Sequence, residues 1–279
     1  MLEQLLHVIT PQAIGPDRFR GDNMHPEAFR VYGGQVLAQA VSVALATVQQ
    51  DRNIHSQHAY FLRPGNPSQP IDYEVERARD GISFSSRRVV ALQRGKPILV
   101  SSMSFQQVSR GDDYQPDMPA VIPPEALRTD RQVSLETGTL DEDFMITTGG
   151  DLDVRLVGPV EWEKPAPPGA QLRVWVKTNG PLPDERHLHQ ALLAYFSDMY
   201  LIDACLWIHG RSYLDQAMQV ASLDHALWFH EDFRADQWLL LTMEAERVCG
   251  GRGLARGRFY TREGRLVATT MQEGLMRFR

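Results

Sequence analysis

One carboxylate stands out because its sequence surroundings are apolar. Asp198 lies in the segment ALLAYFSDMYLIDACL, in which Asp203 is the only other charged residue. In a helix, the residues one turn away from Asp198 would be apolar or aromatic, so none supplies a counter-charge. A buried carboxylate of this kind needs hydrogen-bond donors from elsewhere or a solvated pocket, the setting of acid–base chemistry. The alternative is an aspartate that reaches solvent at a helix end, which is our interpretation of Asp203.

Two polar residues on predicted strands could take part in such chemistry. Ser222 lies in VASLDHALWFH, where strict strand alternation places it on the face opposite His225. Gln272 lies in VATTMQEGLMR, near the C-terminus. A purely structural hydrogen-bonding role is the alternative for both. Ser222 is not predicted to be a nucleophile, because no G-x-S-x-G elbow surrounds it.

Other motifs point to no cofactor and no metal. The sequence contains no H-E-x-x-H motif, no P-loop and no pair of metal ligands at helical spacing. The glycine-rich stretch 250–257 lacks the G-x-G-x-x-G spacing of dinucleotide sites. Asp184 and His189 stand five residues apart at a predicted helix start, where an N-terminal charge and a cap are the simplest interpretation.

Composition narrows the class of protein. The 279 residues are 43% hydrophobic and 23% charged, as in ordinary globular proteins, and the net charge is −6. An acidic chain lacks the basic surplus that nucleic acids require. The N-terminus does not read as a signal peptide, and the apolar stretch 191–208 carries two aspartates that would be costly in lipid. We therefore expect a cytoplasmic protein with no nucleic-acid partner and no stable membrane association.

The hydrophobic pattern predicts the same succession of elements twice. Each succession is a helix followed by an antiparallel meander, and the two are separated by an irregular stretch over 107–150 with a short helix near 123–128. The predicted helices cover 2–9, 34–48 and 185–205, and the predicted strands cover 56–62, 71–79, 83–93, 97–106, 154–162, 172–177, 219–229, 238–247, 253–261 and 265–276.

Matching residues support a repeat. His58-Ala59 matches His225-Ala226 at an offset of 167, and Gly95-Lys96 matches Gly264-Arg265 at an offset of 169. Two copies of one unit normally pack together to bury the surface that neither buries alone. We predict a first repeat over 1–107, a linker over 108–152 and a second repeat over 153–279.

Several separated segments resemble the type II acyl-CoA thioesterases, the TesB-like family. They are FRVYGGQVLAQAV, HSQHAYFLRPG, DGISFSSRRVVALQRGKPI, LDHALWFH and TMQEGLMR, and together they span the chain except for the linker. The resemblance implies an α+β double hot-dog fold, in which each of two tandem units wraps an antiparallel sheet around a central helix. It also implies a homo-oligomer, a dimer or a tetramer, with a place in fatty acid metabolism.

The resemblance further implies a catalytic trio of Asp198, Ser222 and Gln272 acting on an acyl-CoA substrate. The family most often has threonine where this chain has Ser222, a change that keeps the hydroxyl but loses the methyl group that stiffens the rotamer. The implied reaction is direct attack of an activated water on the thioester, giving free fatty acid and coenzyme A. Backbone N–H groups of 33–35 or 189–190 are candidates to polarise the carbonyl.

The offsets predict one active site per chain. They place Met103 opposite Gln272, His55 opposite Ser222 and Val43 opposite Asp198, so that the first repeat lacks all three polar groups.

Two alternatives to the thioesterase remain at the sequence level. One is a non-catalytic acyl-CoA binding protein, for which the serine at 222 is the only support. The other is a hot-dog enoyl-CoA hydratase, because the spacing of Asp184 and His189 resembles that of the Asp and His pair in that family. The adjoining Asn-Pro and preceding Gly of the hydratase motif are absent here.

Overall fold

The structure is a computed structural model that describes residues 2–137, 149–158, 160–167, 169–213, 215 and 217–278. Part of the predicted linker, and residue 159 of the predicted strand 154–162, lie outside the described residues. The predicted N-terminal helix is confirmed as α1 (Leu2–Val8). No helix among the described residues is long and apolar enough to cross a membrane.

The first half of the chain contains one long helix and six strands. Helix α2 (Gly33–Leu45) has a continuous run of small and branched apolar residues and is buried along nearly its whole length, as its apolar stripe predicts. The strands are β1 (Gln12–Gly15), β2 (Arg18–Gly21), β3 (Arg52–Phe61), β4 (Ile71–Asp80), β5 (Phe84–Gln93) and β6 (Lys96–Gln107).

The second half repeats this succession. It contains β7 (Leu152–Leu156), β8 (Leu172–Thr178), α4 (Arg186–Phe196), α5 (Asp203–Trp207), β9 (Met218–Ser222), β10 (Asp224–Phe229), β11 (Leu239–Cys249), β12 (Arg252–Thr261) and β13 (Leu266–Phe278). Between the halves lie a short 3₁₀ helix (Pro124–Ala126) and helix α3 (Asp130–Thr137). The chain thus carries the helix-then-meander unit twice, as predicted.

The described strands form one antiparallel sheet with mirrored halves. Its order is β1-β2-β4-β5-β6-β3-β10-β13-β12-β11-β8-β7, and β9 also pairs with β13. The halves meet where β3 pairs with β10. Inside the curve of the sheet, α2 packs against α4, and the Tyr32 hydroxyl donates to the Tyr195 carbonyl at 2.9 Å.

Three sequence predictions of local structure are wrong. The predicted helix 185–205 ends at Phe196, and a turn separates it from α5. The predicted strand 219–229 is interrupted at Leu223, and strand β7 is shorter than 154–162 predicts. Strands β1 and β2 and helix α3 were not predicted, because the strands are only four residues long and α3 is largely polar.

Strand register defines which positions of the two halves correspond. Ala91 lies opposite Leu99 and Phe259 opposite Ala268, and in each pair of strands a bulge follows at that point. The bulges align β5 with β12 at an offset of 168 and β6 with β13 at an offset of 169. The predicted offset of 169 is confirmed for β6 and β13.

The same register corrects one predicted correspondence. Gln272 corresponds to Met103, as predicted. Ser222 lies opposite Gly274, just before an irregularity in the strand pairing. Ile54 lies opposite Phe105 in the same way, and the offset of 169 makes Phe105 the counterpart of Gly274. The counterpart of Ser222 is therefore Ile54 rather than His55. The offset between β3 and β10 is therefore 168, and the sequence match at 167 was one residue out of register.

The helix ends supply the counterpart of Asp198. Helices α2 and α4 end at Leu45 and Phe196, and a turn of the same kind follows each. Two residues beyond these ends stand Thr47 and Asp198. Thr47, rather than the predicted Val43, takes the place of the carboxylate in the first half.

A buried arginine fills this place in the first half. Arg87 is 2% exposed and lies opposite Met103. Its Nε donates to Thr47 Oγ1 at 2.9 Å and its Nη2 to the Thr47 carbonyl at 2.9 Å and Asp80 Oδ1 at 2.7 Å. Its Nη1 donates to the carbonyls of Arg79 and Ser86. All five N–H groups of the guanidinium are thus used.

We expect Arg87→Leu to destabilise the fold, because it leaves buried carbonyls without donors at a cost of roughly 3 kcal/mol. Urea unfolding measures the change. Arg88→Leu is the matched control, since that neighbour is largely exposed and pairs only with exposed Glu76, and exposed pairs contribute little. Equal stability of the two variants would contradict the structural role of Arg87.

Candidate active site

Asp198 lies where the ends of the two central helices meet. It stands in the turn after α4, and its carboxylate faces the N-terminus of α2. No side chain of α2 caps that terminus, since Tyr32 at the N-cap makes no side-chain hydrogen bond to it. The Gly34 N–H instead stabilises the charged form of Asp198 and lowers the pKa of that carboxyl. The carboxylate therefore takes the place of a capping side chain, where the helix dipole favours negative charge.

Two glycines make this close approach possible. A Cβ atom on Gly33 would lie 2.6 Å from Asp198 Oδ2, and one on Gly34 would lie 2.5 Å from the Tyr195 carbonyl oxygen. Neither glycine has a positive φ, so space rather than backbone conformation requires them. The pair Gly33-Gly34 allows α2 to begin directly against the end of α4.

The electrostatic environment raises the proton affinity of Asp198 and keeps it titratable near neutrality. Burial raises its pKa to about 6, while hydrogen bonds from Gln272 and Gly34 and the charge of Arg30 act in the opposite direction. Burial raises the pKa of Asp203 to about 7, and the charge of Asp198 adds to that shift. A pKa of about 6 leaves the Asp198 carboxyl largely ionised at neutral pH.

The structure brings Ser222 and Gln272 to Asp198. Gln272, on β13 and 1% exposed, donates from Nε2 to Asp198 Oδ1 at 2.9 Å and to Ser222 Oγ at 2.5 Å. A primary amide has two N–H groups, so both are used within the trio. Because Ser222 accepts from Gln272, its own hydroxyl proton is directed to another acceptor.

A break in strand pairing places Ser222 on the inner face. The register of β9 with β13 shifts by one residue relative to that of β10, and Leu223 lies between the two strands. Strict alternation predicted that Ser222 and His225 face opposite ways. Because of the break, Ser222 faces Gln272 on the same side as His225.

Three further side chains lie behind the trio, and the sequence did not predict them as site residues. His225 Nδ1 is 3.0 Å from Gln272 Oε1, and His225 Nε2 is 2.8 Å from Ser197 Oγ and 3.1 Å from Thr270 Oγ1. All are buried, and burial lowers the pKa of His225 to about 4. The sequence feature that could have identified His225 is its place as a histidine on an otherwise apolar strand face.

Asp184 and His189 do not form an acid–base pair. Asp184 is exposed and accepts from Arg234, whereas His189 is buried and its Nδ1 accepts from the Ala235 N–H. His189 lies on α4, nine residues before Asp198 in the turn that follows the helix, a separation of roughly 13 Å at the rise of an α-helix. Positions 189–190 are therefore too distant to polarise a carbonyl beside Asp198.

A cavity of about 870 Å³ lies at that far end of α4. Its lining includes His189, Arg234 and Trp238 but none of the trio, and its charged groups are largely paired with one another. An ionisable group and its hydrogen-bonding partners converge instead at Asp198. Within the described ranges, no three His, Cys, Asp or Glu side chains lie together so as to hold a metal ion.

We expect Gly34→Ala to destabilise the protein by roughly 1–3 kcal/mol, because its Cβ atom would overlap backbone that cannot move without separating the helices. In an isolated helix, alanine in place of glycine is stabilising by about 1 kcal/mol. The sign of the change in unfolding free energy therefore distinguishes the helix contact from helix propensity. Thermal unfolding measures it. Gly111→Ala is the control, since its Cβ atom would meet nothing within 4 Å. A stabilised Gly34→Ala variant would contradict the close helix contact.

Known proteins resemble this chain in both of its halves. The family described as acyl-CoA thioesterase matches residues 161–275, and the family described as the acyl-CoA thioesterase N-terminal domain matches residues 21–106. Acyl-CoA thioesterase 2 of Haemophilus influenzae is 39% identical over 285 residues, covering 100% of this chain and 98% of that protein. Human acyl-coenzyme A thioesterase 8 is 35% identical over 288 residues, covering 97% and 88%.

Solved structures show the same architecture. The acyl-CoA thioesterase II TesB2 of Mycobacterium marinum superposes with a TM-score of 0.82 at 36% identity, covering 100% of this chain and 97% of that one. A hot-dog protein of Alicyclobacillus acidocaldarius, 16% identical with a TM-score of 0.79 and covering 99% and 98%, supports the fold alone. The predicted α+β double hot-dog fold is confirmed. By sequence, family match and structure, the chain belongs to the acyl-CoA thioesterase family.

Proposed function

We propose that this chain hydrolyses fatty acyl-CoA to free fatty acid and coenzyme A, with a water molecule as the nucleophile and Asp198 as its general base. One observation carries the proposal: a carboxylate whose pKa is raised to about 6 is held by Gln272 beside the Ser222 hydroxyl and the N-terminus of α2. The names of the family and of its relatives supply the substrate class.

Asp198 and Ser222 orient the water. Gln272 uses both N–H groups on these two residues, so its role is to fix their relative position. The Ser222 hydroxyl proton then points to the water oxygen, and the water donates one proton to the Asp198 carboxylate. A lone pair of the oxygen remains for the carbonyl carbon, and the fixed geometry removes much of the entropic barrier.

The N-terminus of α2 is the donor site that remains for the thioester oxygen. Val36 is the first residue of this helix whose N–H donates to a carbonyl one turn earlier, that of Tyr32 at 3.4 Å. The preceding N–H groups are unpaired helix donors, and that of Gly34 acts on the Asp198 carboxylate, whose pKa it lowers. Gly33 and Gln35 are therefore the backbone groups that we assign to stabilise negative charge on the substrate oxygen.

The steps balance without a covalent enzyme intermediate. Water forms the new C–O bond as its proton passes to Asp198, and collapse of the tetrahedral intermediate breaks the C–S bond. Coenzyme A leaves as a thiolate, which recovers the proton. The serine in place of threonine keeps its contact with Gln272, so the departure that favoured a non-catalytic binding protein does not remove the hydroxyl from the trio.

The cellular setting is also part of the proposal. Two free cysteines, buried Cys205 and exposed Cys249, support a reducing compartment and hence the cytoplasm.

One active site per chain follows from Arg87, which fills the corresponding place of the first half. We retain the homo-oligomer and a role in fatty acid metabolism as proposals, and light scattering decides the oligomeric state.

Thiol release from acyl-CoA substrates of increasing chain length tests the proposed function. We expect turnover in the unmodified chain and a loss of roughly 10²- to 10⁴-fold in kcat for Asp198→Asn, which keeps shape and removes the base. Asp203→Asn is the matched control and should keep nearly full activity, because Asp203 lies outside the trio. Unchanged turnover of folded Asp198→Asn would exclude this base.

The pH dependence of kcat/KM tests the same carboxylate. Only ionised Asp198 accepts a proton, and its pKa in the folded protein is raised to about 6. The rate should be constant above that pH and fall below it, to about a tenth at one pH unit under the pKa. A profile that is flat through pH 6 down to the pKa of an ordinary aspartate would contradict the raised pKa.

A further inference from the structure

We propose that His225 is a positioning residue that fixes which end of the Gln272 amide faces Asp198. The inference rests on the proposed function for its kinetic consequence, and on geometry alone for its tautomer. The two ends of a glutamine side chain have nearly the same shape, so hydrogen bonding on both sides of the amide, rather than packing, decides its orientation.

The surroundings of Gln272 require a donor on its oxygen side. Nε2 faces Asp198 Oδ1 and Ser222 Oγ, and Oε1 faces His225 Nδ1 at 3.0 Å. An amide oxygen can only accept. If Nδ1 carries the proton, all three contacts are hydrogen bonds at once. If Nδ1 carries no proton, its lone pair faces a lone pair of Oε1, and this repulsion favours rotation of the amide.

A rotated amide would be harmful to the base. Its oxygen would face the ionised carboxylate of Asp198, and its N–H groups would serve His225 instead. A buried carboxyl group that loses a donor is less readily ionised, because a hydrogen bond to the charged form stabilises that form. Since Gln272 lowers the pKa of Asp198, rotation would raise that pKa and leave Ser222 unoriented.

The second imidazole nitrogen holds the required tautomer. His225 is 1% exposed and neutral near pH 7, because burial lowers its pKa to about 4. It therefore has one N–H and one bare nitrogen. Nε2 lies 2.8 Å from Ser197 Oγ and 3.1 Å from Thr270 Oγ1. Each hydroxyl also contacts a carbonyl acceptor, that of Ala194 or Ala226, and we assign one of the two hydroxyl protons to Nε2. A proton donated to Nε2 leaves the imidazole proton on Nδ1, facing Gln272.

The contacts form a closed ring. Ser197 is adjacent to Asp198 in the chain, so the ring passes from this turn through His225 and Gln272 and back to the carboxylate. In the first half, strand register places Gln57 at the position of His225, and its Nε2 donates to the Leu37 carbonyl. The ring belongs to the half that carries the carboxylate.

A second buried histidine supplies an internal contrast. His189 is 3% exposed, and its Nδ1 accepts from the Ala235 N–H at 3.1 Å, so its proton must lie on Nε2. The two histidines thus have opposite tautomers in one protein. Only His225 touches the trio.

Nitrogen-15 NMR of the histidine-labelled full chain tests the tautomers without any assay of activity. We expect His225 to be neutral with its proton on Nδ1, and His189 to be neutral with its proton on Nε2. Loss of one set of signals in His225→Asn and of the other in His189→Asn assigns them. A proton on Nε2 of His225 would overturn the proposal, whether or not the chain hydrolyses acyl-CoA.

Kinetics of two variants test the consequence. His225→Leu removes the donor to the Gln272 oxygen, while the hydroxyls of Ser197 and Thr270 keep their carbonyl acceptors at Ala194 and Ala226. We expect kcat to fall about 100-fold from the misplaced base, with KM little changed, and the acid limb of the pH profile to move to higher pH. His225→Asn retains an N–H near the position of Nδ1 and should recover both.

His189→Leu is the control, because His189 lies at the far end of α4, and it should change neither kcat nor the acid limb. A merely structural role for His225 would lower the melting temperature and the active fraction but leave the acid limb in place, and that result would overturn the proposal. Activity that is absent from the unmodified chain would instead refute the proposed function, while the NMR result stands.

Discussion

Asp198 must stay charged in a place that disfavours charge, between the ends of two packed helices. Burial alone raises its pKa, and three groups oppose that shift: the Gly34 N–H, the Gln272 amide and the charge of Arg30. The balance leaves the pKa at about 6, so the carboxylate is ionised at neutral pH but still basic enough to take a proton. Most other features of the site follow from this balance.

The helix contact illustrates the dependence. A capping side chain on α2 would satisfy its first N–H groups, but the helix has none, and the carboxylate of the other helix replaces it. This requires glycine at 33 and 34, because any larger residue would push the helix ends apart. The ring contact between Tyr32 and Tyr195, with centroids 5.0 Å apart, then holds the two helices at this point. Packing and acid–base chemistry are thus one arrangement.

The two halves solve the same local problem in opposite ways. A hot-dog unit leaves a space where its helix ends beside the sheet, and a buried space must be filled or its polar groups paired. The first half fills it with Arg87, whose five N–H groups all find acceptors. The second half has Ala255 at the corresponding position, opposite Gln272. A small residue there leaves room for the glutamine amide and its partners.

The sequence predicted the elements that have a strong periodic pattern and missed those that depend on tertiary contacts. The stripe of α2, the alternation of the meanders and the repeat are local signals, and all were recovered, although the repeat was one residue out of register in β3 and β10. The end of α4 at Phe196 was not predicted, because the apolar run continues to Leu206 with no glycine or proline to stop it. The turn that follows presents Asp198 to the N-terminus of α2 and to Gln272 on β13, contacts that no local pattern records.

The same reasoning explains why the trio could be named from a resemblance while the residues behind it could not. Asp198, Ser222 and Gln272 lie in recognisable segments, but the side on which Ser222 points is set by a one-residue change in register at Leu223. His225 already lies on the inner face of β10 with Leu227 and Phe229, and there its imidazole meets the oxygen of the amide. A residue at this position acts through proton placement rather than through shape. Its part in the site therefore becomes visible only when every donor and acceptor around Gln272 is counted.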